Sequence, residues 1–566
     1  MNVVFYFSIC AAFIVNAWFL GTWLFSGMKR AGWKKSLGAA VPAAVLFACC
    51  QAFYYGTIPR GGYDNDHDFQ YQSISFFRPG SIASAMSVKE ASPLIMDGIS
   101  DALSGFSLKA ALAKNSLLML LSALVLAVCL YRLGFGLNSA LFGFVLFYFN
   151  FLTVLNANAF STTAANIFFL CCALYAAAVF ETERRDLKGL LWVLAAFILV
   201  WTGRYELAFM PGVLLFVSLL RRDGALRSLV TRPGAAAWIC FGLAAAICAA
   251  WTGLVIAQTP YNGPPPGESL RLLEHLRYQL GDRNLGLLAP FPAGLAVYLV
   301  TAAFAVIFAS AWFSARRVTR PAFFWTLLLW TICFSSIFML RDSYPLHFMR
   351  HQLYFFMPFV FLFAAAFDAC LGFIGTGPGA VRAGRIVLIC FCAVYLKANA
   401  GIVHSMEREQ RTNDMEWALL LKASENWPKG CALMYPARDR YNRYYLLKKY
   451  FPLLPDNCGG PVPECVIKYL PPIYRIYGGS GLDVPEGYSP ASPSYAPPGA
   501  HALYEAVFAH RFYTLRDFET REAVPLRIGF YYADSPEDKA WLAAREAPCL
   551  DPKVAIATFR KMRDGR

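Results

Sequence analysis

Charged residues are scarce in this chain: they make up 15% of its 566 residues, whereas 57% are hydrophobic and the mean hydropathy is +0.44. This composition excludes an ordinary soluble globular protein, because apolar runs long enough to cross a bilayer recur along the sequence. The net charge of +15 comes from Lys and Arg that lie mostly in short segments between these runs. Such a distribution is typical of cytoplasmic loops, so we expect a membrane environment and no nucleic-acid partner.

Sequence signatures of several other protein classes are missing. The chain has no glycine-rich loop for nucleoside triphosphates, no nucleophile elbow and no His-Glu-x-x-His metal helix. Carboxylates and lysines are nearly absent within the apolar runs, which argues against an ion-coupled transporter. Met1 to Phe25 is apolar without a basic leader or a cleavage site, so we expect it to be retained as the first span.

The basic segments separate the apolar runs into about twelve predicted membrane-spanning helices within residues 1–403. Two runs are too long for a single span. Leu137–Phe180 is interrupted by polar residues at 156–163, which predicts a hairpin that turns on the outer face. Leu190–Leu220 is interrupted at Arg204–Glu206, which predicts a second external turn or a partly re-entrant segment.

Residues 404–566 are polar and rich in Pro and Tyr, and they are predicted to form an extracytoplasmic α+β domain. Sixteen cysteines are present, and all but four lie in or beside the apolar runs. An even number of cysteines in this domain fits two disulfides in an oxidising compartment, with Cys458–Cys465 as the most local pair. Free thiols in a cytoplasmic tail are the alternative. The four candidate disulfide cysteines are Cys431, Cys458, Cys465 and Cys549.

The first large external loop, residues 61–110, concentrates polar residues beside the membrane. Asp64, Asp66 and Asp68 alternate along it, so an extended backbone would project all three carboxylates to one side. Converging carboxylates suit Mg²⁺ or Mn²⁺ with a phosphate, or one of them could act as a general base. A solvated acidic turn is the alternative. Later in the loop, Ser92–Leu108 is predicted to be an amphipathic helix at the membrane surface.

Two further positions carry charge next to apolar sequence. Arg204 and Glu206 interrupt a predicted span, where a charge costs about 2.5–3.5 kcal/mol, so they are expected to line a polar cavity or to pair. A guanidinium suits a lipid phosphate because its fork of N–H groups matches phosphate oxygens. Arg350 and His351 precede the predicted span Tyr354–Phe373 and form a second candidate phosphate site.

These motifs resemble the GT-C superfamily of integral-membrane glycosyltransferases, which includes protein O-mannosyltransferases and lipid A aminoarabinose transferases. The resemblance covers Leu37 to Val403 and departs from the family where Ser92-Pro93 replaces His-Pro and alternating Asp replaces Asp-Glu. The matching segments are Asp64–Asp68, Ser92-Pro93-Leu94, Arg204-Tyr205-Glu206 followed by Pro211, and Arg350-His351-x-x-Tyr354 followed by Pro358.

The resemblance implies a GT-C-like domain in residues 1–403 that transfers a sugar, with inversion, from a polyprenyl-phosphate donor to a lipid, glycan or protein. It places the chain in a bacterial inner membrane with a periplasmic C-terminal domain. Asp66 is the expected base, helped by Asp64 and Asp68, with Asp64 and Asp66 as ligands if Mg²⁺ or Mn²⁺ takes part. A glycan ligase or polymerase, or a lipid or glycan transporter, are the alternatives. The expected substrate-binding residues are His67, Arg204, Glu206, Arg350, His351 and Tyr354.

Overall fold

The computed structural model is mostly helical and has a small sheet near the C-terminus. The chain divides into two compact units, one containing Met1–Gln410 and the other most of the residues from Arg411 onward. Each unit is considered separately. The structure describes residues 2–31, 91–104, 108–157, 162–220, 224–231, 235–258, 349–374, 377–434, 451–452, 464–470, 502–513, 520–532 and 534.

The helices of the first unit follow the apolar runs of the sequence. A 3-10 turn, Tyr205–Ala208, separates α7 from α8. In chain order the helices are α1 (Asn2–Ala31), α2 (Ala91–Ser104), α3 (Leu108–Arg132), α4 (Leu137–Tyr148), α5 (Phe151–Ala157), α6 (Thr163–Thr182), α7 (Leu187–Gly203), α8 (Phe209–Leu220), α9 (Ala225–Thr231), α10 (Ala235–Gln258), α11 (Met349–Ile374) and α12 (Pro378–Glu425).

Helix α6 forms the centre of this unit. Nearly every residue from Thr163 to Phe180 is buried, and α6 packs against both α3 and α7. A helix that is apolar on all sides is expected to lie inside a bundle rather than on its surface. Helices α3, α6 and α10 each contain a segment long and apolar enough to cross a membrane. The predicted total of about twelve spans stays a prediction, because residues 259–348 lie outside the described ranges.

One of the two predicted interruptions of the long apolar runs is present among the described residues. In the first run, α5 is described to Ala157 and α6 begins at Thr163, and residues 158–161 lie outside the described ranges. The second breaks at Arg204, after which the chain reverses. The backbone N–H of Ala225 donates to Oε2 of Glu181 at 3.4 Å, so the start of α9 lies beside the end of α6. Glu181 before α7 and Ala225 after α8 are therefore neighbours.

An additional break separates α4 from α5 and was not predicted. Asn150 occupies this break, where its Oδ1 accepts a hydrogen bond from the Leu152 N–H at 2.9 Å. Its amide also donates to the hydroxyl of Tyr395 at 2.8 Å, and that hydroxyl donates to the carbonyl of Leu146 at 3.1 Å. These bonds satisfy polar groups that the interrupted helix leaves exposed in an apolar interior. A single Asn in the apolar sequence around it gave too little signal for this break.

Helix α12 has 48 residues. It continues past the predicted domain boundary at 403, and the division between the compact units falls after Gln410. The composition of the chain changes near residue 404, whereas the helical backbone does not. The boundary predicted from composition thus precedes the one found from packing.

The second unit contains a four-stranded sheet with the order β1-β2-β4-β3. Strands β1 and β2 are parallel, and β4 is antiparallel to both β2 and β3. Trp427 and Phe451 pack against Phe530 of β4, with ring centres 5.8 and 5.6 Å from it, and form part of the core. The strands are β1 (Cys431–Met434), β2 (Cys465–Leu470), β3 (Ala502–Tyr513) and β4 (Thr520–Tyr532).

The disulfide in this unit joins Cys431 to Cys465 across the first two strands. The two residues are direct partners in the parallel register, and their Cα atoms are 4.5 Å apart. The predicted pairing of Cys458 with Cys465 is therefore wrong. Sequence proximity favoured that pair, but strand register brings Cys431 closer to Cys465. Cys458 and Cys549 lie outside the described residues.

Candidate functional site

Buried polar side chains gather where several helices of the first unit begin or end. Helices α2, α3 and α6 begin there, and α5 and α7 end there. The hydroxyl of Ser116 at the start of α3 donates to the carbonyl of Ala157 at the end of α5, at 3.3 Å. We call this region the polar end of the bundle. Its side chains that are at most 5% exposed include Ser92, Asp97, Asn115, Ser116, Asn156, Thr162, Thr163, Asn166 and Thr202.

Helix α2 is attached to the polar end at two points. The hydroxyl of Ser92 in its first turn donates to the carbonyl of Leu199 in α7 at 2.6 Å. Further along, Asp97 forms a salt bridge with Lys114 of α3, with side chains 1% and 11% exposed. This confirms the predicted helix beginning near Ser92, and its predicted place at the membrane surface stays a prediction. Leu94 and Ile95 are buried, and Ile99 and Leu103 are exposed.

The end of α7 comes very close to two other helices at Gly203. A Cβ added there would lie 3.1 Å from Oγ of Ser92 and 3.4 Å from Cδ of Pro93. It would come still closer to Oδ1 of Asn166, nearer than a van der Waals contact allows. An added Cβ would therefore displace the side-chain amide of Asn166 and press on the hydroxyl of Ser92. We call these three residues, Ser92, Asn166 and Gly203, the Gly203 junction.

Arg204 follows Gly203 and leaves the helix in an extended conformation, with φ −132° and ψ 103°. Its backbone N–H still bonds to the carbonyl of Val200 at 2.8 Å, and its own carbonyl accepts from the Leu207 N–H at 3.0 Å. The residue is partly exposed, while its Nε is shielded from solvent. The turn thus fixes the backbone of Arg204 at the edge of the buried polar region.

The side chain of Arg204 lies against Tyr354 of α11. The guanidinium carbon is 5.5 Å from the centre of the Tyr354 ring, and Tyr354 is fully buried. A cation over an aromatic face at this distance is attracted by the negative charge of the π face. The structure therefore brings together two of the predicted substrate-binding residues, which come from separate motifs.

The other predicted site residues have different outcomes. Glu206 lies in the 3-10 turn directly after Arg204. Arg350 and His351 lie in the first turn of α11, and Arg350 precedes Tyr354 by one helical turn. The acidic loop residues Asp64, Asp66, His67 and Asp68 lie outside the described residues, so their predicted roles stay predictions.

The site predicted from the sequence did not include two charged residues at this end. Asp97 interrupts the apolar face of an amphipathic helix, and Lys114 stands at the start of an apolar run. An unpaired charge is unfavourable at either position, and this cost was the signal in the sequence that each residue has a partner. Their pairing depends on how α2 lies against α3, and sequence spacing does not specify that.

A metal site was expected at Asp64 and Asp66. Among the described residues, no group of three or more His, Cys, Asp or Glu side chains is arranged to hold a metal ion. The expected ligands lie in the undescribed loop, so the involvement of Mg²⁺ or Mn²⁺ stays a prediction.

Charged pairs also occur at the opposite end of the bundle, where α3 and α6 end and α7 begins. Arg132 forms a salt bridge with Glu183, and the Arg132 guanidinium carbon lies 5.2 Å from the ring centre of Trp23. The side chain of Asp186 caps α7 by accepting from the Gly189 N–H at 2.8 Å. These contacts join helix ends, which is a structural role for this end.

Comparison with solved structures shows that the fold is known. The chain is similar to ArnT from Cupriavidus metallidurans in the apo state, with a TM-score of 0.53 and 14% identity. It is also similar to ArnT from the same organism bound to undecaprenyl phosphate, with a TM-score of 0.51 and 14% identity. Each match covers 87% of this chain and 98% of the ArnT chain.

Sequence comparisons gave no match: no protein family and no curated protein sequence is similar to this chain. The evidence for its class is therefore the fold, together with the apolar helices. ArnT is a GT-C lipid A aminoarabinose transferase, and the match extends over most of both chains. The chain is an integral membrane protein with the fold of the GT-C membrane glycosyltransferases.

Proposed function

We propose that this protein is a glycosyltransferase that takes a sugar from a polyprenyl-phosphate donor. The observation that carries the proposal is Arg204 placed over buried Tyr354 at the polar end of the bundle. Support also comes from the fold, since a similar structure is that of ArnT bound to undecaprenyl phosphate. The transfer of a sugar and the location in the inner membrane are both parts of this proposal.

Arg204 is the proposed contact for the donor phosphate. Its guanidinium offers N–H groups in a planar fork that suits two phosphate oxygens, and its contact with the Tyr354 ring restricts its orientation. Arg204 is only partly exposed, which strengthens its attraction to the donor phosphate because less water screens the two charges. Arg350, one turn before Tyr354 on α11, is the proposed second phosphate contact. Glu206 and His351 complete the proposed set of substrate contacts.

The proposed chemistry is an inverting transfer with Asp66 as general base. An acceptor hydroxyl or amine attacks the anomeric carbon of the sugar while the carboxylate takes its proton. The bond to the donor phosphate breaks, and the polyprenyl phosphate leaves with the negative charge that the arginines stabilise. Asp64, Asp68 and His67 assist. Asp64 and Asp66 supply the carboxylates that Mg²⁺ or Mn²⁺ prefers, if a metal takes part.

The second unit is proposed to lie on the outer side of the membrane. The Cys431–Cys465 disulfide supports this orientation, because disulfides persist in oxidising compartments. The acceptor is a lipid, a glycan or a protein, and a donor carrying a whole glycan would make the enzyme a ligase or polymerase. A transporter would not release free polyprenyl phosphate from the donor.

The test is transfer by the purified protein in detergent, with polyprenyl-phosphate sugars as donors and no membrane gradient. We expect release of polyprenyl phosphate, which Arg204→Ala lowers strongly and Arg204→Lys lowers less. Arg382→Ala is the matched control, because Arg382 is exposed on α12 and has no proposed role. Release that is equal in the Arg204→Ala protein and the unchanged protein would contradict the assigned phosphate site.

A further inference from the structure

Gly203 has no side chain, yet it occupies the point where three helices of the bundle meet. Its φ lies outside the left-handed region, so the backbone alone does not require glycine there. The constraint comes from buried side chains: an added Cβ would lie too close to the Asn166 amide oxygen and tightly against the Ser92 hydroxyl, while Pro93 would be at ordinary contact distance. Protein interiors are close-packed, so the added atom must displace one of these neighbours or the end of α7.

The residue that such a displacement moves first is Arg204. It follows Gly203 directly, and its backbone N–H still bonds to α7. Ser92 anchors the same end of α7 from the other side through its bond to the Leu199 carbonyl at 2.6 Å. The guanidinium then reaches Tyr354 on a fourth helix, α11. A shift at Gly203 would therefore change how Arg204 meets Tyr354.

We infer that Gly203 is a positioning residue for the phosphate contact: the absence of its side chain lets Ser92 and Asn166 set Arg204 over Tyr354. This inference rests on the proposed function, because it assigns to the Gly203 junction the geometry of the proposed phosphate site. Gly203 itself touches no substrate. Its effect passes through the adjacent arginine.

The test measures binding of undecaprenyl phosphate to the full-length protein in detergent. A Cβ at position 203 must displace the buried Asn166 amide, and a misplacement of about 1 Å in a reacting group can cost about 100-fold in rate. We expect Gly203→Ala to weaken the Kd for undecaprenyl phosphate about 10-fold or more. Gly242→Ala and Gly253→Ala are the matched controls in α10, because an added Cβ there meets nothing within 4 Å. Both should leave the Kd unchanged.

A purely structural role would give a different pattern. Partial unfolding lowers the number of binding sites but leaves the Kd of the remaining folded protein unchanged. Asn166→Ala removes the atom that the added Cβ meets most closely, so Gly203→Ala combined with Asn166→Ala should bind as Asn166→Ala alone does. If Gly203→Ala does not fold, Ser92→Ala tests the same junction by removing a hydrogen bond without adding volume, and it should also weaken the Kd.

Arg204→Ala distinguishes the inference from the proposal beneath it. If Arg204→Ala binds undecaprenyl phosphate as tightly as the unchanged protein, the proposed phosphate site is wrong. If Arg204→Ala weakens binding but Gly203→Ala and Ser92→Ala do not, the positioning role of the junction is wrong and the phosphate site stands. Weakened binding in all three variants, with recovery in the double variant, supports both.

Discussion

The guanidinium carbon of Arg204 lies 5.5 Å from the centre of the Tyr354 ring, although the two residues belong to distant segments of the sequence. Arg204 ends α7 and Tyr354 lies near the start of α11. The contact therefore links two motifs that the sequence shows only as separate groups of polar residues. It also gives the proposed phosphate site a rigid side, since Tyr354 is fully buried.

The aromatic ring should matter for donor binding more than its hydroxyl does. Tyr354→Phe keeps the ring beneath Arg204, whereas Tyr354→Leu removes it. A cation–π contact contributes about 0.5–2 kcal/mol, so Tyr354→Leu should weaken undecaprenyl phosphate binding roughly 2- to 30-fold. Tyr354→Phe should stay closer to the unchanged protein. Titration of both variants with undecaprenyl phosphate checks this, and equal weakening in the two would assign the effect to the hydroxyl.

The buried pair Asp97–Lys114 should be costly to break from one side. Asp97→Asn or Lys114→Met alone leaves an uncompensated buried charge, which typically destabilises by about 3–5 kcal/mol. The double variant should lose less than the sum of the single losses. Thermal unfolding in detergent measures all three. The Arg132–Glu183 pair is the control, because its side chains are 29% and 31% exposed and Glu183→Gln should cost under about 1 kcal/mol.

The break between α4 and α5 should depend on the hydroxyl of Tyr395. Tyr395→Phe removes the group that accepts from Asn150 and donates to the Leu146 carbonyl. Leaving a buried polar group without its partner costs about 1–3 kcal/mol, so the variant should unfold at a lower temperature. Tyr131→Phe is the control, since Tyr131 is 59% exposed. An unchanged unfolding temperature for Tyr395→Phe would mean that the break is stabilised in another way.

Non-reducing peptide mapping should find Cys431 linked to Cys465. The sequence separation is 34 residues, and closing a loop of that size stabilises a folded domain by about 3–4 kcal/mol in the chain-entropy account. Replacing both cysteines by serine should therefore lower the unfolding temperature of the second unit. A peptide that joins Cys458 to Cys465 in the native protein would contradict the observed strand register.

The carboxylate of Asp66 should be essential for transfer and dispensable for folding. Asp66→Asn keeps the size of the side chain but removes its ability to take a proton, so sugar transfer should fall by about 100-fold or more. Binding of undecaprenyl phosphate and the unfolding temperature should change little. Full activity in Asp66→Asn would remove this residue from the mechanism. Chelation of divalent metals with EDTA, followed by return of Mg²⁺ or Mn²⁺, tests the metal separately.

Much of the helical framework could be predicted from the sequence, because its signals are local. Arg204 and Glu206 interrupt an otherwise apolar run, and the cost of charge at membrane depth predicts the turn found there. The other predicted turn, in the polar stretch before Thr163, falls mostly outside the described residues and stays a prediction. Asn150 is a single amide in an apolar stretch, so the break there was not predicted.

The contacts between elements were harder to predict, since they depend on packing. Arg204 and Tyr354 were both named as binding residues, but their contact depends on where α11 lies in the bundle. The disulfide partner of Cys465 was misassigned because parallel strand register, rather than chain distance, decides which cysteine lies opposite. The close approach at Gly203 carries no local signal at all, since glycine in an apolar helix has many explanations.

The most direct test of the central claim is native mass spectrometry of the gently solubilised protein. The proposed function predicts that polyprenyl phosphate, or its glycosylated form, is released from the unchanged protein and from Arg382→Ala. It predicts that the Arg204→Ala protein has lost this lipid while remaining folded. Finding only bulk phospholipid on the unchanged protein, or equal amounts of polyprenyl phosphate on all three, would contradict the assignment of Arg204 as the donor-phosphate contact.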